Sequence, residues 1–331
     1  MNVLVLGGTL FIGLHLVQLL HRQGHTVTVL NRGVSDVVLP DGVERLVADR
    51  TDPSKVRSVL KGTSYDAVFD ISCRTPEVLE PTIKALEGNV GHFVFCSTTS
   101  VYGPSFLSPI KEDFPLDRRP DASDYARNKV ACEDMLMEAV GERDFPATVL
   151  RPPYVYGPHN RLKQREFSFF ARLAQGRPII VPGDGLTLFH AVHVDDLAEA
   201  FAVTPGRVNT LGQVYTTSGS QAITINGYVS IIGDVVGASP QTVHVEARDF
   251  ASLTQRLEVS EQDLYPFEWR VSSVYSIEKA ARDLDWTPRY EMRDGLAMTY
   301  EWWKEQGLDA EEWDFSQEER AVELIGRQAT S

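Results

Sequence analysis

An α/β fold on a doubly wound parallel sheet is predicted by two features of this chain. Short β-rich runs alternate with helical patterns through the first half, and the first of those runs leads straight into a glycine-rich turn that opens a helix. Strand-like runs at 3–6, 26–30, 67–71, 92–96 and 147–150 are separated by helical patterns at 11–23, 53–61, 76–86 and 123–139. Apolar strands joined through helices form parallel sheets covered on both faces. Beyond Arg151 the texture changes, as Pro152, Pro153, Pro158, Pro178, Pro182, Gly183 and Gly185 punctuate it with loops. The expected organisation is a Rossmann core over residues 1–150, then a smaller C-terminal substrate lobe over 151–307, interleaved with late core strands. An acidic, helical-looking tail at 308–331 is given no function.

The first turn reads Gly7-Gly8-Thr9-Leu10-Phe11-Ile12-Gly13. In this position Gly7 permits the tight turn and Gly13 a close approach of helix to strand. Backbone N–H groups of Thr9, Phe11 and Ile12 at the helix start can then hold a pyrophosphate. The middle glycine of the usual motif is Leu10 here. The second strand ends at Leu30-Asn31-Arg32-Gly33, without the acid that would bind adenine-ribose hydroxyls, and Arg32 is placed to meet a 2′-phosphate. NAD or NADP is therefore the expected cofactor, with NADP favoured. Asp49 sits where a carboxylate meets the adenine amino group or closes a turn, and Arg50 after it is expected at the same end of the cofactor.

The 331 residues carry 32 Lys and Arg against 46 Asp and Glu, a net charge of −14, and no long basic run. That argues against a general nucleic-acid or anionic-membrane surface. Cys73, Cys96 and Cys132 are odd in number and show no C-x-x-C spacing, so they read as reduced core residues. No apolar stretch approaches membrane-spanning length, and the first strand leaves no room for a signal peptide, so a cytoplasmic location is expected.

Tyr125 and Lys129 lie four apart in a helical pattern and so share one face. An ammonium beside a phenol favours the phenolate, which suits proton exchange with a substrate hydroxyl or carbonyl. The buried-looking strand Phe93-Val94-Phe95-Cys96 releases Ser97-Thr98-Thr99-Ser100 at its carboxyl end, where open α/β sheets bind ligands. One of these hydroxyls is placed to meet the substrate oxygen, while the others close the strand through local hydrogen bonds. His193 with Asp195 and Asp196 reads as a helix N-terminus, and no metal is expected. Trp302-Trp303 reads as packing on an amphipathic late helix.

These motifs occur in a telling order. The glycine turn, Ser97–Gly103 and Tyr125-x-x-x-Lys129 are followed by Leu150-Arg151-Pro152-x-x-Val155-Tyr156-Gly157-Pro158 and His193-Val194-Asp195-Asp196. Lys279, Leu284, Trp286, Pro288 and Gly295-Leu296 complete the set. Over residues 1–305 it resembles the extended short-chain dehydrogenase/reductases, the NAD(P)-dependent epimerases and dehydratases. The resemblance implies that Thr98, four residues before Tyr102, holds the reacting oxygen. It implies that Tyr125 is the acid/base and that Lys129 binds the nicotinamide ribose and tunes the tyrosine. Ile71 and Ser72 would lie against the cofactor and Pro152 beside the nicotinamide amide, with Thr99, Tyr154 and Arg270 as weaker substrate contacts. A homodimer through the 123–139 helix is implied as well.

Three departures qualify these expectations. Thr98 is followed by Thr99-Ser100, not by the Asp-Glu of 4,6-dehydratases. Tyr154 replaces the usual Asn. The first turn and Leu30-Asn31-Arg32-Gly33 look most like an atypical branch that includes chloroplast stem-loop-binding proteins, which are associated with RNA. The expected activity is hydride transfer between nicotinamide and a hydroxyl or keto carbon, of a nucleotide-sugar by family analogy, as epimerase or ketoreductase. The alternative is a non-catalytic RNA-binding or cofactor-sensing protein on the same fold.

Overall fold

The computed structural model describes residues 1–329. The strands are β1 (Asn2–Leu6), β2 (Thr26–Asn31), β3 (Glu44–Val47), β4 (Ala67–Asp70), β5 (Phe93–Cys96), β6 (Ala147–Arg151), β7 (Tyr154–Tyr156), β8 (Ile179–Pro182), β9 (Leu188–His193), β10 (Val214–Thr216), β11 (Ala222–Thr224) and β12 (Thr242–Val245). Seven of them form one parallel sheet in the order β10-β6-β5-β4-β1-β2-β3. The order reverses beside β1, which places a crevice at the carboxyl ends of β1 and β4.

Helices α1 (Phe11–Arg22), α2 (Pro53–Leu60), α3 (Pro76–Leu86), α4 (Asp124–Arg143), α5 (Glu166–Ala174) and α6 (Val194–Val203) follow. The later ones are α7 (Ile225–Val236), α8 (Ala247–Leu257), α9 (Glu261–Leu264), α10 (Glu278–Leu284), α11 (Met292–Glu305) and α12 (Ser316–Ala329). The period-two geometry of β1 shows why both faces are covered. Val3 and Val5 pack with Leu16, Val17 and Phe201 on one side, while Leu4 and Leu6 pack with Val56, Leu79 and Ile83 on the other.

The sheet departs from the sequence pattern at one rim, β3, while the other rim is a late strand of the interleaved kind expected. Edge strand β3 is only half-buried and carries Glu44 and Arg45, so it lacks the apolar run that marks a strand covered on both faces. At the opposite rim β10 arrives from far along the chain, after the first part of the lobe, to pair with β6. The remaining strands form two further sheets, β8-β12 and β11-β9-β7, around an aromatic cluster of Phe169, Phe189, Tyr228, Tyr265 and Phe267. Trp303 is buried against Phe170 and Tyr300, and Trp302 stacks on Phe167 and meets the His159 ring at a tilt, so both indoles serve packing. Among the described residues no helix is long and apolar enough to cross a membrane.

Candidate active site

The turn after β1 is held open by contacts no larger residue could share. Gly7 has φ +94°, and a Cβ built on it would lie 2.5 Å from the Cβ of Ser72. On Gly13 a Cβ would stand 2.2 Å from the carbonyl oxygen of Gly7, so α1 and the turn touch backbone to backbone. Phe11, the first residue of α1, has φ +39°, and Leu10 at the N-cap supplies no side-chain acceptor. The N–H groups of this first helical turn are thus not taken by a side-chain cap, which is the arrangement a pyrophosphate needs. Thr9 is buried beneath the turn, and Ile12 packs half-buried against the β1 core.

At the end of β2, Asn31 accepts the N–H of Gly33 at 2.8 Å through Oδ1, while its buried Nδ2 has no partner. Such an orphan donor costs stability, because burial removes its water without supplying an acceptor. Arg32 is exposed beside it. Asp49 accepts the backbone N–H of Thr51 at 3.0 Å and its hydroxyl at 2.8 Å, and these bonds hold its carboxyl below the usual carboxylate range. Arg50 turns inward: it grips Asp70 through two bonds, 2.7 and 2.5 Å long, and reaches Ser72 and Thr82 at 3.1 Å each. Of the two neighbours, only Asp49 lies toward solvent; Arg50 fixes the Ile71-Ser72 loop from below.

Ser123 caps α4 by accepting the N–H of Ala126, and this sets the helix start one residue before Tyr125. Tyr125 is 44% exposed, an open phenol on a helix face, whereas Lys129 one turn on is only 3% exposed. The Lys129 ammonium donates to the carbonyls of Cys73 at 2.7 Å and Cys96 at 2.6 Å. It also lies 4.8 Å from the Phe95 ring centroid and 6.0 Å from that of Tyr125. Burial pushes the Cys96 thiol up to about 11 even beside this cation, so it stays neutral.

Thr98 follows β5 two residues after the carbonyl that holds Lys129. Its hydroxyl accepts the N–H of Ser100 at 3.1 Å and donates to the Ser100 hydroxyl at 3.2 Å. Thr99 is buried, with its N–H on the Pro152 carbonyl at 2.9 Å. That bond ties Pro152 to the same strand end.

A buried charge pair behind these residues escaped the sequence reading. Glu133, one turn past Lys129, accepts the Ser97 hydroxyl; its two oxygens share the Nε–H of Arg151, at 3.0 and 3.2 Å, and one accepts from Arg151 Nη2 as well. Arg151 also donates to the Tyr102 hydroxyl at 2.8 Å, and its guanidinium stacks 4.9 Å from that ring's centroid. The signal was present as a carboxylate and a guanidinium each sitting inside an apolar run.

The weaker substrate candidates are engaged elsewhere. The Tyr154 phenol donates to the fully buried Glu166, whose carboxyl burial pushes up in pKa, and its ring packs on Phe267. Arg270 is bound to both oxygens of Glu261 at 2.5 and 2.7 Å and lies over the Trp269 ring. At the α6 N-terminus the cap is His193 itself, which accepts the Asp195 N–H at 3.3 Å. Asp195 contacts His15 at 2.6 Å, and Asp196 receives the N–H groups of Arg289 and Tyr290 at 3.0 and 3.1 Å. Among the described residues no cluster of three His, Cys, Asp or Glu could hold a metal ion.

Residues 3–210 match the family model described as NAD dependent epimerase/dehydratase family. The chloroplast stem-loop binding protein of 41 kDa b from Arabidopsis thaliana is 31% identical over 330 residues, covering 95% of this chain and 82% of that one. The 2'-dehydrokanamycin reductase of Streptomyces kanamyceticus is 29% identical over 205 residues, covering 61% of this chain and 57% of the reductase. Among solved structures, UDP-glucose 4-epimerase of Thermotoga maritima with UDP-glucose superposes with a TM-score of 0.76. It is 21% identical over 92% of this chain and 99% of that one, a likeness of fold. Sequence and fold agree: the chain belongs to the NAD-dependent epimerase/dehydratase family, among the extended short-chain dehydrogenase/reductases.

Proposed function

We propose that the chain transfers hydride between a nicotinamide dinucleotide and a hydroxyl- or keto-bearing carbon, with Tyr125 as acid/base. The observation that carries this reading is the burial of Lys129 beneath an open Tyr125. An ammonium has three N–H donors, and the Cys73 and Cys96 carbonyls take two. The third is available to a ribose hydroxyl at the carboxyl end of β5. Tyr125 then exchanges the proton of the substrate oxygen, and the Thr98 hydroxyl orients that oxygen.

Bound nicotinamide supplies the hydride acceptor or donor. The turn from Gly7 to Gly13 holds the pyrophosphate, Asn31 and Arg32 the adenine ribose, Asp49 the adenine edge, and Ile71, Ser72 and Pro152 the nicotinamide end. Arg32, with no acid beside it on β2, favours NADP over NAD. The relatives support a sugar substrate, nucleotide-activated as in the dTDP-D-glucose 4,6-dehydratase of Homo sapiens, 23% identical over 227 residues. For Arg270 to bind a diphosphate, Glu261 would have to let it go. A cofactor retained through the cycle gives epimerisation and an exchangeable one gives a ketoreductase. We further propose a dimer through α4, to be read by light scattering.

Tyr125→Phe tests the assignment: turnover on keto and hydroxy sugars should fall at least ~100-fold while NAD(P)H affinity stays within about twofold. Retained turnover removes Tyr125 from the chemistry. A second reading rests on the 31% identity with the stem-loop binding protein: a non-catalytic RNA binder on the same fold. Salt-sensitive, micromolar binding of structured RNA in a gel shift, with no hydride transfer, would establish it.

A further inference from the structure

We infer that the buried Glu133–Arg151 pair is a positioning device that sets Thr98 and Pro152 against Tyr125 and Lys129, an inference that rests on the hydride-transfer reading. The argument begins on α4. Tyr125, Lys129 and Glu133 follow one another at four-residue spacing, so they form a single stripe directed at the carboxyl ends of the central strands. The first is open, whereas the second and third are 3% and 2% exposed.

Each buried member of the stripe ties α4 to a different strand end. Lys129 holds the last residue of β5, Cys96, and the loop after β4. Glu133 holds Ser97, the residue before Thr98, and Arg151, the residue before Pro152. Arg151 extends the tie through the Tyr102 hydroxyl, which lies 3.3 Å from the Thr216 hydroxyl on β10. Two adjacent strand ends and the rim strand are thereby referred to one carboxylate on the helix that carries the acid/base. A packing role alone would be met by apolar side chains of similar volume, which are often as stable as a buried ion pair. Backbone bonds from the Ser97 and Thr99 N–H groups to Leu150 and Pro152, 2.8 and 2.9 Å long, already align this segment with β6; the Ser97 hydroxyl adds the reference to α4, which apolar groups would not supply.

Ser97→Ala cuts the tie of Glu133 to the end of β5 while leaving the ion pair and the Lys129–Cys96 bond whole, and Glu133→Gln removes the charge. The experiment measures kcat, KM, melting temperature and backbone hydrogen exchange for both, beside wild type. In Ser97→Ala we expect kcat to fall ~10-fold with KM for cofactor and substrate within about twofold. The melting temperature should move by no more than about 2 °C, and faster exchange should be confined to residues 97–102. Glu133→Gln leaves the Arg151 guanidinium buried without its counter-charge, so it should lose more kcat and lower the melting temperature as well. The inference is overturned if Ser97→Ala keeps kcat within about twofold of wild type, or if kcat, KM and global stability decline together in Ser97→Ala. Should wild type transfer no hydride at all, the hydride-transfer reading fails by itself. Exchange then decides the positioning claim, which unchanged protection at 97–102 in Ser97→Ala would overturn.

Discussion

Replacing Gly13 by Ala sets two opposite effects against each other at the cofactor turn. Alanine favours helix over glycine by roughly 1 kcal/mol, and Gly13 has no positive φ to defend, so propensity alone predicts a more stable protein. The added Cβ, however, would lie 2.2 Å from the Gly7 carbonyl oxygen and 3.0 Å from the Gly8 Cα. Ordinary contact needs roughly 3.5 Å, so α1 must retreat from the turn by about 1 Å. Both obstructing atoms are backbone and have no rotamer to change. Overpacking of this kind costs about 1–3 kcal/mol, which outweighs the propensity gain. We expect a net loss of about 1–2 kcal/mol in urea denaturation followed by intrinsic fluorescence. Moving the helix N–H groups by that distance should weaken NADH and NADPH binding at least ~10-fold in fluorescence titrations. Gly141→Ala is the control, since that glycine lies within α4 with nothing within 4 Å of its added Cβ. It should stabilise by about 0.5 kcal/mol and leave binding unchanged. Wild-type stability and affinity in Gly13→Ala would refute the backbone contact as the reason for glycine.

Other measurements probe the rest of the site and the core. Lys129→Met leaves the Cys73 and Cys96 carbonyls without their donor; each orphaned acceptor costs about 1–3 kcal/mol, so both melting temperature and cofactor affinity should drop. Arg32→Ala should weaken NADPH about tenfold and NADH hardly at all; equal losses would place Arg32 outside the ribose site. Burial lowers His92, His190 and His193 from 6.5 to about 4, so the unfolded chain binds more protons between those values. Their neutral forms support the fold fully above pH 6.5, and that support is lost as pH falls from 6.5 toward 4, by up to about 3 kcal/mol per histidine. Denaturation midpoints that stay flat between pH 7 and pH 4.5 would contradict this burial.

The sequence was most informative where function depends on order along the chain. Gly7, Gly13, Tyr125 and Lys129 carry their meaning in spacing, because turn geometry and helical periodicity convert spacing into proximity. What holds Lys129 was not readable, since the carbonyls of Cys73 and Cys96 belong to the backbone and every residue has one. Tyr154 shows a different boundary. The family resemblance suggested a substrate contact for it, but its direction is set by Glu166, twelve residues on across a loop, and only the fold reveals that pairing. Arg50 is similar: its place after Asp49 suggested the adenosine end, whereas Asp70 on β4 draws it beneath the site.

The pairing of β10 with β6 has a consequence during synthesis on the ribosome. All five residues of β6 are buried in the finished protein, yet its outer edge is covered by Val214–Thr216. The ~65 residues between Arg151 and Thr216 take roughly 3–13 s to emerge at ordinary elongation rates. For that interval the nascent chain holds an apolar strand with an open hydrogen-bonding edge, the surface most prone to pair with another chain. Stalling translation once β6 but not β10 has left the ribosome should therefore increase chaperone capture and aggregation, and release of a chain that includes β10 should end both.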